Sequence, residues 1–148
     1  MLMPTRILVP TDFSEYSDSA LGQDLDIAKE YQDKAYILQV VHTIMGYTGL
    51  VFVISEKIGP QFKDNAMAWV QVSLKKQIEK FPQAKEIETY TGIREGVPYE
   101  EILKEGKDQR IDLIIIAFLR RTGITIYLIG SAARNVLKGS KCSVLLTK

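Results

Sequence analysis

The 148-residue chain has one cysteine, Cys142, and one histidine, His42. One thiol cannot close an internal disulfide, and one thiol with one imidazole cannot supply the Cys/His ligand set of a zinc site. No metal is expected. Cys142 stands just before a short apolar run and reads as a buried, inert thiol. His42 ends an apolar run with no third group in sight to orient it, so no nucleophilic triad can be recognised. Long apolar stretches are missing too: none approaches the roughly 18 residues of a membrane-spanning helix. Met1-Leu2-Met3-Pro4 lacks the basic start and apolar middle of a signal peptide. Neither sign of charge dominates, with 19 Lys and Arg against 18 Asp and Glu and a net charge of +1. Nothing therefore draws the chain toward nucleic acid or an anionic membrane. The expectation is a cytoplasmic protein with neither as a partner.

What is present suits one globular α/β domain over residues 1–148: 46% hydrophobic and 25% charged residues in a chain of ordinary domain length. Arg6-Ile7-Leu8-Val9 is a short apolar run that stops at Pro10-Thr11-Asp12, a buried strand entering a polar turn. A helix follows, capped by Ser14 or Ser17, with Leu21, Leu25, Ala28 and Tyr31 on one face. Ala35 to Val41 is a second strand. Residues 43–60 mix Ile44, Met45 and Leu50 to Ile54 with Gly46, Gly49, Gly59 and Pro60. This is either a lid, binding loop or protein-partner interface, or a flap folded on its own core.

Helical spacing returns at Gln61, with Phe62, Ala66, Trp69, Val70, Ser73, Leu74, Gln77, Ile78 and Phe81 as a stripe that places Trp69 in the core. Glu86 to Tyr90 alternates as a half-exposed edge strand, after which Gly92 and Gly96 loosen the chain. Pro98 suits a first helical turn, and Glu100 and Glu101 suit the positive end of its dipole. Leu113 to Ala117 is the most apolar run and reads as a strand buried on both faces. A helix over 131–138, stopped by Gly139, and a strand over 143–146 complete the order β-α-β-(long connection)-α-β-α-β-α-β. That alternation predicts a parallel sheet with helices on both faces, with ligands beyond the carboxyl ends of the strands.

Two loops there can carry chemistry. Pro10-Thr11-Asp12-Phe13-Ser14 contains no glycine, which excludes a dinucleotide fingerprint and a P-loop. Asp12 either accepts hydrogen bonds from a ribose or base or braces the turn. The segment from Ala117 to Ser131 leaves a buried strand and is expected to enter a helix at Gly130-Ser131. There, free N–H groups would bind an anion, or Ser131 would serve as a plain cap.

At this point the sequence resembles the universal stress protein family over nearly its whole length. The matching segments are Ile7-Leu8-Val9-Pro10-Thr11-Asp12-Phe13-Ser14, Gly96-Val97-Pro98 with Glu101-Ile102-Leu103, Asp112-Leu113-Ile114-Ile115-Ile116, and Arg121-Thr122-Gly123. The ending, Gly130-Ser131-Ala132-Ala133-Arg134-Asn135-Val136-Leu137 followed by Cys142-Ser143-Val144-Leu145-Leu146, is similar too. The resemblance implies a Rossmann-type open parallel sheet of five strands in the order 3-2-1-4-5. It also implies a homodimer in which last strands such as Val144, Leu145 and Leu146 pair across a two-fold axis.

For ATP or AMP, the resemblance implies a pocket of Pro10, Thr11, Asp12, Val40, Ala117, Arg120, Gly130, Ser131 and Ala132. In it Asp12 would contact the nucleoside, the backbone near Val40 the adenine, and a glycine motif the phosphates. Gly130 and Ser131 fit that motif, but Ala117 and Arg120 stand where the family has glycines. Arg120 either fills the phosphate site or pairs with a phosphate from a new direction; blockage is preferred, because arginine cannot restore a tight glycine turn. The leading expectation is a non-enzymatic regulatory homodimer with weak or absent ATP binding. The alternative is a nucleotide-responsive switch. A slow ATP hydrolase is disfavoured, since beyond Asp12 the loops offer no general base. A phosphoacceptor receiver domain would need paired acids after the first strand, where only Asp12 stands.

Overall fold

The structure, a computed structural model, describes residues 5–42, 67–117 and 124–147, the side chains of residues 42 and 124–130 excepted. Its elements are β1 (Arg6–Thr11), α1 (Glu15–Tyr31), β2 (Lys34–His42), α2 (helical over 67–79), a 3-10 turn (Pro82–Glu86), β3 (Thr89–Gly96), α3 (Pro98–Asp108), β4 (Leu113–Ala117), α4 (Ile124–Gly139) and β5 (Ser143–Thr147). The strands form one parallel sheet in the order β3-β2-β1-β4-β5, as the resemblance implies. The chain thus winds outward from β1 in both directions, and the order reverses between β1 and β4.

Period-two alternation assigns the two faces of the sheet. Ile7, Val9, Ile37 and Ile115 pack with Leu21, Leu25 and Ala28 of α1 and with Val70 and Leu74 of α2. Leu8, Leu38, Ile114 and Ile116 face Ile102 of α3 and Ala133 and Val136 of α4. β4 is buried along its whole length, which is why its sequence is continuously apolar. Complete burial of each such aliphatic side chain contributes about 1.5–3 kcal/mol, so these two layers carry most of the stability.

Several local expectations change. α1 is capped by Ser14, whose hydroxyl oxygen accepts from the Ser17 N–H, while Ser17 itself is buried inside the helix. Tyr31, placed by spacing on the buried face, is exposed, because α1 ends there in a left-handed Gln32. Trp69 is 63% exposed rather than core. The buried stripe of α2 is narrower than its apolar spacing suggests, running through Val70, Leu74 and Gln77, and the indole sits at its rim against Phe13 with ring centroids 5.8 Å apart.

The edge strand lies later than its alternation indicates. Residues 82–86 close a 3-10 turn, and β3 continues through Gly92 to Gly96. Gly92 stays within the ladder, paired with Leu38 of β2, and a Cβ there would make only ordinary contact with Leu38, at 3.4 Å. Cys142 is only partly buried, with its sulfur 3.3 Å from the Ser140 hydroxyl. The expected loop or interface at residues 43–60 lies outside the described residues. Among the described residues, no helix is long and apolar enough to cross a membrane.

Candidate functional site

The strand order brings the ends of β1 and β4 side by side, with β2 on the other flank of β1. Pairing of β1 with β2 is registered from Arg6↔Lys34 to Thr11↔Gln39, whereas pairing with β4 is registered only at Ile7↔Leu113 and Leu8↔Ile114. Pro10 has no N–H to extend a ladder. The topological switch point, where a ligand is expected to sit, thus lies beside Pro10, Thr11 and Asp12.

The turn leaving β1 is tightly built. Asp12 Oδ1 accepts the Ser14 N–H at 3.0 Å and the Ser14 hydroxyl at 2.5 Å. Asp12 thus braces the turn, as one of its two readings holds. Among the described residues, its second oxygen, Oδ2, accepts no hydrogen bond and leaves an acceptor at the strand end. Between them Phe13 sits at φ 66°, in the left-handed region that an aromatic residue rarely enters. Its N–H donates to Thr11 Oγ1 at 3.1 Å.

Thr11 is 7% exposed, and its hydroxyl meets two further buried groups, Gln77 Oε1 at 2.8 Å and Ser17 Oγ at 3.0 Å. The Gln77 amide in turn donates to Asp18 Oδ1 at 2.8 Å and to Ser17 Oγ at 3.3 Å. Lys80 closes the outer side with an ion pair to Asp18 at 3.0 Å. Sequence reading passed over this network. The signal was there, since Gln77 occupies a buried position of the α2 stripe, where a polar side chain needs a partner.

Gln39 was missed as well. It lies opposite Thr11 in the β1–β2 register, its Nε2 is 3.4 Å from the Val40 carbonyl, and its buried Oε1 has no hydrogen-bond partner among the described residues. Val40 is partly buried against the α3/α4 side of the core. Ala117 is 5% exposed at the end of β4, and Ala132 is buried in α4.

The far side of the expected pocket needs correction. α4 begins at Ile124, not Ser131, so Gly130 and Ser131 lie inside the helix, about 9 Å along its axis from the first residue. Their N–H groups are within its hydrogen-bonded body rather than free at its start. The run Ile124 to Ile129 carries the helix back past Gly130, because one glycine weakens a helix by only about 1 kcal/mol. Arg120 and Arg121 lie outside the described residues. A phosphoacceptor receiver domain would also need an acceptor aspartate after its third strand, and here Val97 and Pro98 follow β3. Among the described residues, no group of three His, Cys, Asp or Glu side chains could hold a metal ion.

At the other edge of the sheet, β5 leaves Leu145 38% and Leu146 39% exposed, while Val144 is partly buried against α4's side of the core. Among the described residues, only β4 pairs with it.

Comparison with known proteins agrees with this fold. A family model described as the universal stress protein family matches residues 3–148. Universal stress protein MJ0531 of Methanocaldococcus jannaschii is 33% identical over 144 residues, covering 97% of this chain and 81% of that protein. Universal stress protein UspA from Lactobacillus plantarum shares the fold at a TM-score of 0.79 and 22% identity, with 100% of each chain covered. A universal stress protein solved in complex with cAMP superposes at a TM-score of 0.70 and 19% identity, covering 99% of this chain and 98% of that one.

Proposed function

The chain belongs to the universal stress protein family, and from that premise we propose that it is a regulatory homodimer that holds an adenine nucleotide by its nucleoside end. The observation that carries this reading is Asp12: one carboxylate oxygen is tied into the turn, and among the described residues the other has no hydrogen-bond donor at the switch point of the sheet. A ribose hydroxyl is a suitable donor to such an acceptor. The buried Oε1 of Gln39, without a partner among the described residues, offers a second acceptor for an exocyclic amino group. A relative of the same fold that was solved with cAMP supports the same ligand class.

The phosphate end supplies less. Arg120 and Ala117 replace two glycines of the family pattern, and Gly130 and Ser131 sit inside α4. The nucleoside therefore provides most of the affinity, no turnover is expected, and ATP should bind no better than AMP. Isothermal calorimetry with both nucleotides tests this, on the native protein and on Arg120→Gly. AMP and ATP are expected to bind with similar, weak affinity, and the variant should gain affinity for ATP alone. Micromolar ATP binding with a large preference over AMP would sink the proposal.

The dimer part rests on β5, whose exposed Leu145 and Leu146 stand on an edge that a second copy would cover. Light scattering of the native protein should give twice the chain mass, and Leu145→Asp should return it to the monomer.

A further inference from the structure

We propose that Gln77, on α2, is a positioning residue: it sets the conformation of the Asp12 turn and thereby the affinity of that turn for its ligand. The binding part rests on the reading of Asp12 as the nucleoside contact, while the positioning part stands on geometry alone.

The proton arrangement follows from what each group can do. An ionised Asp18 can only accept, so the Gln77 nitrogen must face it, which turns Gln77 Oε1 toward Thr11. Ser17 gives its hydroxyl proton to the Ser14 carbonyl at 2.8 Å. The Thr11 hydroxyl therefore donates to Gln77, and its lone pair stays aimed at the Phe13 N–H. That bond holds Phe13 at its left-handed φ, and the same turn carries the two bonds from Ser14 to Asp12. Without the Gln77 oxygen, the Thr11 hydroxyl would have Ser17 Oγ, 3.0 Å away, as its remaining acceptor, and the oxygen that receives the Phe13 N–H would lose the bond that ties it to α2. α2 is thereby clamped to the turn by an amide 3% exposed to solvent.

Two variants and two measurements test this. In Gln77→Leu, amide hydrogen exchange at Phe13 and Ser14 should speed up about tenfold, the loss expected for one buried hydrogen bond, while Ile114 and Ile115 in β4 keep their protection. AMP affinity by calorimetry should fall by a similar factor, about tenfold. In Gln77→Glu the side chain mimics glutamine when protonated, accepting from Thr11 and donating to Asp18. When ionised it faces the Asp18 carboxylate, with Lys80 the nearby cation, so exchange at Phe13 and AMP affinity should approach the native values in acid and depart from them as pH rises. The native protein measured over the same range is the control, and this variant serves should Gln77→Leu not fold.

Exchange at Phe13 and Ser14 that stays native in both variants overturns the proposal, whatever happens to the nucleotide. Altered exchange with native AMP affinity, in a protein whose binding is lost in Asp12→Ala, overturns the coupling to the ligand. Altered exchange with AMP binding absent in the native protein, or unaffected by Asp12→Ala, upholds the positioning role and overturns the nucleoside reading instead.

Discussion

Ser17 and Asp24 lie two turns apart on the buried face of α1, and their surroundings differ completely. Ser17, 3% exposed, belongs to a network with Thr11, Ser14 and Gln77 in which donors and acceptors match. Asp24, 0% exposed on the same helix, has neither carboxylate oxygen hydrogen-bonded among the described residues. Burial, and after it the charge of the neighbouring Asp33, push its carboxyl well above the usual range. Two buried polar positions on one helix thus have opposite consequences. The satisfied one holds a strained turn in place at the site, and the unsatisfied one burdens the fold where no ligand is expected.

The comparison can be broken most directly at Asp24. Asp24→Ala should stabilise the protein by about 2 kcal/mol at neutral pH, the cost of a buried polar group without partners, partly offset by the small void it leaves. The gain should shrink on acidification. With a raised folded-state pKa, native Asp24 carries no ionisation penalty below the unfolded carboxylate range near about 4, and stability falls as pH climbs from there through the folded value. Denaturant unfolding across pH 3 to 8 measures it; a variant less stable than the native protein at pH 7 contradicts this account.

Thr11→Val is the counterpart at the satisfied site and should destabilise by about 1.5 kcal/mol, since it strands the Phe13 N–H and the Gln77 oxygen. If Asp24→Ala stabilises and Thr11→Val destabilises in the same urea titration, the contrast holds; equal signs abolish it. Asp24→Asn sharpens the cause at Asp24. It removes the charge but keeps an unpaired polar group, so a smaller gain of roughly 1 kcal/mol is expected, together with loss of the pH dependence. The smallest effect belongs to Lys29→Ala. Its 2.6 Å pair with Glu86 is exposed on both sides, and thermal unfolding should not resolve the change.

Much of the architecture was legible because it depends on local periods. The runs at Ile7 to Val9, Ala35 to Val41 and Leu113 to Ala117 read as strands, Pro98 marked the start of α3, and the alternation of elements implied parallel pairing. Boundaries were lost where a single residue was weighed alone. Gly130 looked like a helix entry, but the six residues before it continue the helix back to Ile124. Gly92 looked like a strand end, but pairing with β2, which continues from Leu38↔Gly92 to His42↔Gly96, keeps it within β3.

At the site, Pro10, Thr11 and Asp12 were identified as residues, while the roles of Thr11 and Gln77 were not. They stand 66 positions apart in the chain, and nothing local distinguishes a glutamine that will find a threonine from one that will not. Asp24 sat equally openly on its stripe, and its isolation could not be read there either.

The sequence by itself determined which residues lie on buried faces and in what order strands and helices alternate, because side-chain periods of 2 and 3.6 act over a few neighbours. Only the tertiary structure decided which buried polar groups are paired. Hydrogen bonds form within about 3 Å, and it is the packing of α2 and β1 against α1 that brings Gln77 within reach of Thr11 and leaves Asp24 without a partner.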